Sequence, residues 1–243
     1  MRIKGIVKYK GTNYYGWQKQ VNQISIEEVI ETILSKILDE DINILASGRT
    51  DAGVHALGQV FHFDTTKDFD MDKLTYAVNS LLPKDIAIVS FENVSDTFQA
   101  RYDAKAKHYR YIIDFSNKNP FSYETSYNCL HKTDKDILKE SLLKFIGKHD
   151  FKDFTAKEED EAKFIREIFN ITISEENDLF IIDLYGDGFM RYMIRFIIGA
   201  SLATAWNKED ISFIDYHLSN KENREIISYK APPQGLFLVE VIY

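Results

Sequence analysis

Apolar residues recur along this chain at two spacings, which separate candidate strands from candidate helices. In the first half, alternating or short apolar runs predict strands over residues 2–9, 42–47, 58–64 and 86–92. A helix is predicted from Ser25, because Ser25 and Glu28 form a capping box and apolar residues follow at helical spacing as far as Leu38. A second helix is predicted over 70–81, ended by Pro83.

The second half repeats much of this order. It predicts strands over 105–115, 164–173, 179–185 and 235–242, helices over 134–147 and 188–206, and a short helical segment near 209–217. The order βαββαβ is that of a ferredoxin-like unit. We therefore expect an α+β protein of two such units, residues 1–103 and 104–243, with the sheets joined side by side, the helices on one face and a central cleft.

Composition narrows the class of protein. The 243 residues are 44% hydrophobic and 28% charged, which is ordinary for a soluble globular protein. The single cysteine, Cys129, excludes an internal disulfide and a thiolate metal cluster. The N-terminus lacks the apolar core of a signal peptide, so a cytoplasmic location is expected. The longest apolar run, 189–206, contains Arg191 and Arg195 and is too interrupted for a membrane span.

The net charge of −8 argues mildly against a nucleic-acid partner. Binding depends on the local face rather than on the average, however, and the charges are unevenly distributed. Basic residues gather within 2–10 and 101–110, whereas acidic residues gather at 158–161 and 175–176. A protein with one basic side therefore remains compatible with the sequence.

A short segment between the second and third predicted strands, 47–55, carries the strongest candidate chemistry. Gly48 and Gly53 bracket Asp51 and allow a sharp turn and a close approach of a ligand. In an extended segment Arg49 and Asp51 project to the same side, and a nearby guanidinium favours the ionised carboxylate. Asp51 would then be an anion suited to act as a nucleophile. The alternative is a polar hairpin loop with a surface ion pair.

Two further segments offer partners for this loop. On the strand 105–111, alternation places Lys105, Lys107, Tyr109 and Tyr111 on one face. This face suits phosphate contacts and base stacking, or equally an edge strand with solvated lysines and core tyrosines. On the helix 188–206, Arg191 and Arg195 are four residues apart and share a face. A buried arginine needs a carboxylate or a ligand, and Asp51 is a natural partner if the two halves face each other.

The loop at 11–18 is dense in aromatic and amide side chains, among them Trp17 and Gln18. These could stack on a base or pack over a sheet edge, and packing is the commoner fate of large aromatic residues.

Three other candidate motifs are incomplete in this sequence. The glycines at 186 and 188 lack the rest of a dinucleotide fingerprint, His55 and His62 lack further metal ligands, and a glycosidase needs a second carboxylate facing Asp51.

Five ordered blocks together resemble the tRNA pseudouridine synthase A (TruA) family. The blocks are Gly48–His55, Tyr14–Gln18, Phe98–Ala104 leading into Lys107–Tyr111, Gly188–Arg195 and Ala231–Leu238. They span nearly the whole chain. The chain departs from the family pattern at Gln99, Arg191 and Tyr192, and its acidic segment 158–161 replaces a more basic and aromatic one.

The resemblance implies an isomerase that converts uridine to pseudouridine at positions 38, 39 and 40 of the anticodon stem-loop of tRNA, without cofactor or metal, as a homodimer. It implies Asp51 as the nucleophile, Arg49 as the residue that helps extrude the base, Tyr109 as the shelf for the flipped uracil, and Arg195 as the partner of the carboxylate. Besides Tyr109, six residues are expected to contact the substrate: Lys105, Lys107, Arg101, Trp17, Gln18 and His55.

Two alternatives come from other functional classes. One is a non-catalytic RNA-binding protein on duplicated ferredoxin-like units, which would not need Asp51. No RNP-type aromatic motif is found on its strands, which counts against it. The other is a hydrolytic enzyme on the same scaffold, which the missing second carboxylate disfavours.

Overall fold

The computed structural model describes residues 1–156, 164–219 and 222–243, and they fall into two compact units. The first unit is Met1–Lys105 with Phe237–Tyr243, and the second is Ala106–Leu236. The last strand thus belongs almost entirely to the first unit, whereas the sequence placed it in the second. The acidic stretch 158–161 lies outside the described residues.

The chain combines five described helices with mostly antiparallel strand pairs, which confirms the predicted α+β class. The strands are β1 (Arg2–Tyr9), β2 (Leu45–Ala46), β3 (His55–Asp64), β4 (Ile86–Val94), β5 (Ala106–Asp114), β6 (Tyr127–Asn128), β7 (Gly147–Asp150), β8 (Ile165–Glu176), β9 (Leu179–Gly186) and β10 (Leu236–Ile242). The helices are α1 (Ile26–Leu38), α2 (Met71–Leu81), α3 (Lys135–Leu143), α4 (Met193–Ala205) and α5 (Ser212–Leu218). None of the described helices is long and apolar enough to cross a membrane.

The sheet of the first unit is built around β1 and β3, which pair antiparallel. β4 adds to β1 antiparallel, and β10 adds to β3 parallel, with Phe237 beside His55. Aromatic rings of Trp17, Phe61 and Phe91 form the centre of the core beneath this sheet. The core therefore joins the 11–18 loop to the strand that follows the Asp51 loop.

The predicted strand 42–47 is reduced to the two residues of β2. The backbone N–H groups of Ile42 and Ile44 donate instead to side chains of α1, at Ser35 Oγ (3.0 Å) and Glu31 Oε1 (2.9 Å). Both isoleucines are buried all the same. The apolar pattern of 42–47 thus correctly indicated burial. The backbone N–H groups of this segment, however, bond to side chains of α1 rather than to a neighbouring strand.

The second unit has an antiparallel sheet in the order β5-β9-β8-β7, and β6 pairs with β5 in parallel. Helix α4 is buried along its whole length and packs on α3, where the hydroxyls of Ser141 and Thr204 lie 2.6 Å apart. α3 ends at Leu143, four residues earlier than predicted, and Gly147 begins β7, a strand that the sequence did not reveal. Gly147 has a φ of +108°, which ends any helical continuation.

Helix α4 begins at Met193 rather than at residue 188, because Tyr192 adopts a left-handed backbone conformation with φ +63°. Arg191 consequently lies before the helix and is exposed, while Arg195 lies inside it and is buried. The prediction that these two arginines share one helical face is therefore wrong. That prediction assumed a continuous helix through both arginines, and the αL conformation of Tyr192 interrupts the helix between them.

Candidate functional site

The Asp51 loop leaves β2 at Ala46 and enters β3 at His55. Arg49 is exposed, Thr50 is buried and Asp51 is half-buried, as expected for side chains that alternate along an extended segment. The Thr50 hydroxyl points inward and lies 2.7 Å from the Tyr9 hydroxyl. Arg49 makes no ion pair with any described residue, so the surface ion pair of the polar-turn alternative is not formed.

The start of this loop is held by the side chain of Gln59, which is completely buried in β3. Its Oε1 accepts a hydrogen bond from Ser47 Oγ at 2.7 Å, and its Nε2 donates to the Gly48 carbonyl at 2.8 Å. A buried carboxamide with these bonds fixes the backbone that it contacts. Sequence reasoning missed Gln59, although an amide inside the apolar run of β3 was a signal for it.

The rest of the Asp51 loop is held by the 11–18 loop through three hydrogen bonds. The Trp17 N–H donates to the Thr50 carbonyl at 3.0 Å, and the Gly53 N–H donates to the Tyr14 carbonyl at 3.4 Å. The Gly11 N–H donates to Nδ1 of His55 at 3.0 Å. Asp51 therefore lies on a segment whose backbone is bonded before, beside and after it.

Two glycines make this close contact of loops possible. Gly16 has a φ of +88°, and a Cβ there would lie 2.6 Å from the Thr50 carbonyl oxygen. A Cβ on Gly11 would lie 2.0 Å from the carbonyl oxygen of Val54. Any side chain at either position would push the two loops apart.

The 11–18 loop is itself anchored at both ends. The Tyr14 hydroxyl donates to Oδ1 of Asp85 at 2.7 Å, and burial together with this bond raises the pKa of Tyr14. At the other end, the carbonyls of Gly16 and Trp17 accept from the first N–H groups of α1, those of Ile26 and Glu27. These N–H groups have no partner inside their own helix, so the loop also caps α1.

The predicted substrate contacts in this unit differ in exposure. Trp17 and His55 are each 1% exposed, whereas Gln18 is exposed. Trp17 packs on Tyr9 and Phe61 and supports the Asp51 loop from the core. Burial favours a supporting role for Trp17 and His55, and their direct contact with a substrate stays a prediction.

The second unit carries Tyr109 and Tyr111 on one face of β5, as predicted. Tyr109 is 8% exposed and packs edge-on against Phe189, with ring centroids 5.2 Å apart. Tyr111 is completely buried, its hydroxyl donates to the Pro232 carbonyl at 2.8 Å, and burial raises its pKa well above the usual value. Tyr111 therefore follows the alternative of a core tyrosine and is not a stacking ring.

The opposite face of β5 holds a charged cluster around Asp183 of β9. Asp183 accepts from Arg110 Nε at 2.9 Å, and His108 Nε2 lies 2.5 Å from its Oδ1. The His108 ring stacks on Tyr185 at 4.2 Å. The predicted alternation of β5 is thereby confirmed, and these bonds fix the strand residues on either side of Tyr109.

Arg195 ties α4 to the segment that precedes β10. Its Nε donates to the Ala231 carbonyl at 2.8 Å, and the Ala231 N–H donates back to the Arg195 carbonyl at 2.9 Å. Its guanidinium also lies 5.3 Å from the centre of the Tyr192 ring. The blocks Gly188–Arg195 and Ala231–Leu238, both part of the family resemblance, thus contact each other at Arg195.

The predicted basic contacts lie at or near the surface. Arg101 and Lys105 are exposed, and Lys107 is half-buried. The Arg101 guanidinium lies 5.6 Å from the ring centre of Tyr102, itself exposed. Their roles as phosphate contacts stay predictions. Within the described ranges, no group of three His, Cys, Asp or Glu side chains is placed to hold a metal ion.

The chain matches the family model described as "tRNA pseudouridine synthase" over residues 6–103 and 142–243. It is 40% identical over 242 residues to "tRNA pseudouridine synthase A" of Geotalea daltonii (strain DSM 22248 / JCM 15807 / FRC-32), with 99% of each chain covered. It is 37% identical to the protein of that name from Thermoanaerobacter sp. (strain X514), over 98% of each chain. The Aquifex aeolicus (strain VF5) protein of that name is 38% identical, over 96% of each chain.

Among solved structures, a chain in "Crystal Structure of a Cbf5-Nop10-Gar1 Complex" aligns with a TM-score of 0.37 and 13% identity. The alignment covers 82% of this chain and 53% of the other. That likeness is too weak to add to the sequence matches, which extend over nearly the full length of this chain and of its relatives.

Proposed function

This chain belongs to the tRNA pseudouridine synthase family, and we propose that it isomerises uridine to pseudouridine at positions 38, 39 and 40 of the anticodon stem-loop of tRNA. The reaction is an intramolecular transfer, so the enzyme is an isomerase. The observation that carries the proposal is the loop of Asp51, which two other segments hold by hydrogen bonds while its one carboxylate is only half-buried. A nucleophile needs this combination of fixed backbone and access.

The isomerisation of uridine requires an anionic group beside the sugar. The bond between C1′ and N1 of the uridine breaks, a bond between C1′ and C5 forms, and the proton on C5 is released while N1 regains a proton. We propose that the Asp51 carboxylate starts this exchange, by attack on C1′ or by removal of the C2′ proton. Either route leaves a detached uracil that has to be retained and rotated.

The remaining catalytic roles follow from the resemblance. We propose that Arg49, exposed beside Asp51, helps to extrude the base, whose unstacking costs a few kcal/mol. Tyr109 would provide the aromatic shelf for the flipped uracil and assist removal of the C5 proton. Arg195 would balance the charge of the catalytic carboxylate. No cofactor or metal enters this scheme.

Substrate binding would rest on few positive charges, because the net charge of the chain is −8. We propose Lys105, Lys107 and Arg101 as phosphate contacts and Gln18 as a polar contact. Affinity that depends on few phosphate contacts still falls steeply with salt, since each contact releases counterions from the RNA. The alternative of a non-catalytic RNA-binding protein has no observation in its favour.

Release of tritium tests the function directly. The purified protein is incubated with tRNA that carries C5-tritiated uridine, and tritium in water is counted over time. We expect release by the wild type and a loss of at least about 1000-fold in Asp51→Asn, which keeps the shape and removes the anion. Asp41→Asn, an exposed aspartate of the same unit, is the control and should release tritium normally.

Two outcomes would contradict the proposal. Release by Asp51→Asn at the wild-type rate would remove Asp51 from the chemistry, and no release by the wild type would favour the non-catalytic alternative. The target positions are tested separately with a tRNA that carries cytidine at 38, 39 and 40. Undiminished release from that tRNA would place the reaction elsewhere.

The assembly is also open to measurement. We propose that the enzyme is a homodimer, as the resemblance implies, and that one tRNA contacts both subunits. Sedimentation equilibrium should give twice the chain mass of 28.3 kDa, and a monomer at micromolar concentration would contradict this. A cytoplasmic location likewise stays a prediction.

A further inference from the structure

Three cationic side chains of the second unit converge on one aromatic ring, that of Tyr192. The Arg191 guanidinium lies 4.9 Å from the ring centre, the Lys230 ammonium 4.4 Å and the Arg195 guanidinium 5.3 Å. Arg191 also donates from its terminal nitrogen to the Tyr192 hydroxyl at 3.1 Å. The ring therefore collects positive charge from the segment before α4, from α4 and from the segment before β10.

Two of these charges have no acidic partner in the part of the chain that the structure describes. Neither Arg191 nor Lys230 forms an ion pair with a described residue, and both are exposed. Because each lies within 5 Å of the same ring centre, they are at most about 9 Å apart, which is close to the Debye length of about 8 Å at physiological salt. The first turn of α4 contains no acidic residue that would offset them. In a chain of net charge −8, such a concentration of positive charge without an acidic partner among the described residues favours an anionic ligand.

The backbone on both sides of this cluster is fixed. The Arg191 carbonyl accepts from Thr155 Oγ1 at 3.0 Å and from the Ala156 N–H at 3.2 Å. Lys230 directly precedes Ala231, whose N–H is bonded to Arg195. The two charged groups are thus carried on anchored segments, and their contacts with the ring limit their motion before a ligand arrives.

We propose that Arg191 and Lys230, held against the ring of Tyr192, bind a backbone phosphate of the RNA substrate. A phosphate between two cations of this separation can bond to both, and arginine in particular presents paired donors to phosphate oxygens. The proposal rests on the tRNA substrate of the proposed function. It assigns a positional, sequence-independent contact, because a phosphate carries no base information.

The dependence of binding on salt tests this. The affinity for unmodified tRNA is measured from about 50 to 300 mM KCl for the wild type, for Arg191→Gln with Lys230→Gln, and for Lys208→Gln. Lys208 is the control, since its ammonium also lies over an aromatic ring, that of Trp206, at 4.9 Å. We expect the double variant to bind about tenfold more weakly at low salt and the slope of log affinity against log salt to fall by about 1. The control should change neither.

An unchanged slope in the double variant, or an equal change in the control, would overturn the proposal. A second measurement locates the phosphate, using anticodon stem-loop RNAs with one methylphosphonate at each backbone position in turn. One position should weaken binding to the wild type and leave binding to the double variant unaffected, and the absence of such a position would also overturn it.

Thermal melting of the double variant separates a ligand site from a structural one. Its melting temperature should stay within a few degrees of the wild type, because the loss of the ring contacts and the relief of repulsion oppose each other. A large drop would show that the cations serve the fold instead. Tritium release by the wild type tests the proposed function independently. A failure of that function and a failure of the phosphate site therefore give different results.

Discussion

The backbone N–H of Gly11 donates to Nδ1 of His55, and this 3.0 Å bond joins the loop after β1 to the residue with which β3 begins. Both residues are buried, so the N–H has no access to water as a substitute partner. Acceptance at Nδ1 leaves the ring proton on Nε2. The ring of His55 also packs on Phe237 at 4.7 Å. His55 is thus a connector at the end of the Asp51 loop.

Replacing His55 by phenylalanine tests this connection. The ring volume is roughly kept, but the Gly11 N–H loses its acceptor, which should destabilise the protein by about 1–3 kcal/mol. Because the Asp51 loop would move, we also expect turnover to fall by about tenfold or more. Urea unfolding and tritium release measure the two effects. In His55→Asn, Oδ1 can accept the same bond, and a variant as impaired as His55→Phe would refute this explanation.

Gly16→Ala tests the close approach of the two loops. Its φ of +88° disfavours any side chain, and a Cβ would lie 2.6 Å from the Thr50 carbonyl oxygen. We expect a loss of at least about 2 kcal/mol in the free energy of unfolding, together with lower turnover. Gly188→Ala is the control, because nothing lies within 4 Å of a Cβ at that position. It should stay within about 0.5 kcal/mol of the wild type.

His62 predicts a pH dependence of stability. Its Nδ1 accepts from the Ala100 N–H at 3.2 Å, and burial, with a smaller contribution from the charge of Arg2, lowers its pKa from 6.5. As the pH falls through 6.5 the unfolded chain takes up a proton that the folded chain does not. Stability therefore falls from pH 6.5 down to the lowered pKa, by up to about 1.4 kcal/mol per pH unit.

The comparison with His62→Asn isolates this effect. Asn Oδ1 can accept the Ala100 N–H but does not titrate, while the other ionisable groups are common to both proteins. The stability of the wild type relative to the variant should decline between pH 7.5 and 5.5 in urea unfolding. A constant difference would show that His62 does not titrate in this way.

Tyr109→Phe separates stacking from proton transfer. The ring and its contact with Phe189 remain, so affinity for tRNA should barely change, whereas turnover should fall by about 10²–10⁴-fold if the hydroxyl assists proton removal. Tyr111→Phe is the matched control on the same strand face. It loses only the bond to the Pro232 carbonyl, which should cost about 1 kcal/mol of stability and leave turnover unchanged. A loss of affinity in Tyr109→Phe with normal turnover would contradict the assignment.

Local patterns in the sequence were enough for most elements and for the identity of the candidate nucleophile. The capping box at Ser25 is formed, with Ser25 Oγ accepting from the Glu28 N–H, and α1 runs to Leu38 as predicted. Asp70 likewise caps α2. These features depend on residues within a few positions of one another. The five family-like blocks added the class of enzyme, because their order and spacing are specific where each motif alone is not.

Only the tertiary structure decided how the Asp51 loop is held and where α4 begins. The bonds of Gln59 to Gly48, of Gly11 to His55 and of Trp17 to Thr50 join residues 11 to 44 positions apart, so no local pattern predicts them. The start of α4 depends on the φ of Tyr192, an αL residue that helical spacing does not reveal. Propensity and periodicity describe what a segment can bury, whereas the partners that satisfy its polar groups are fixed only when distant segments pack.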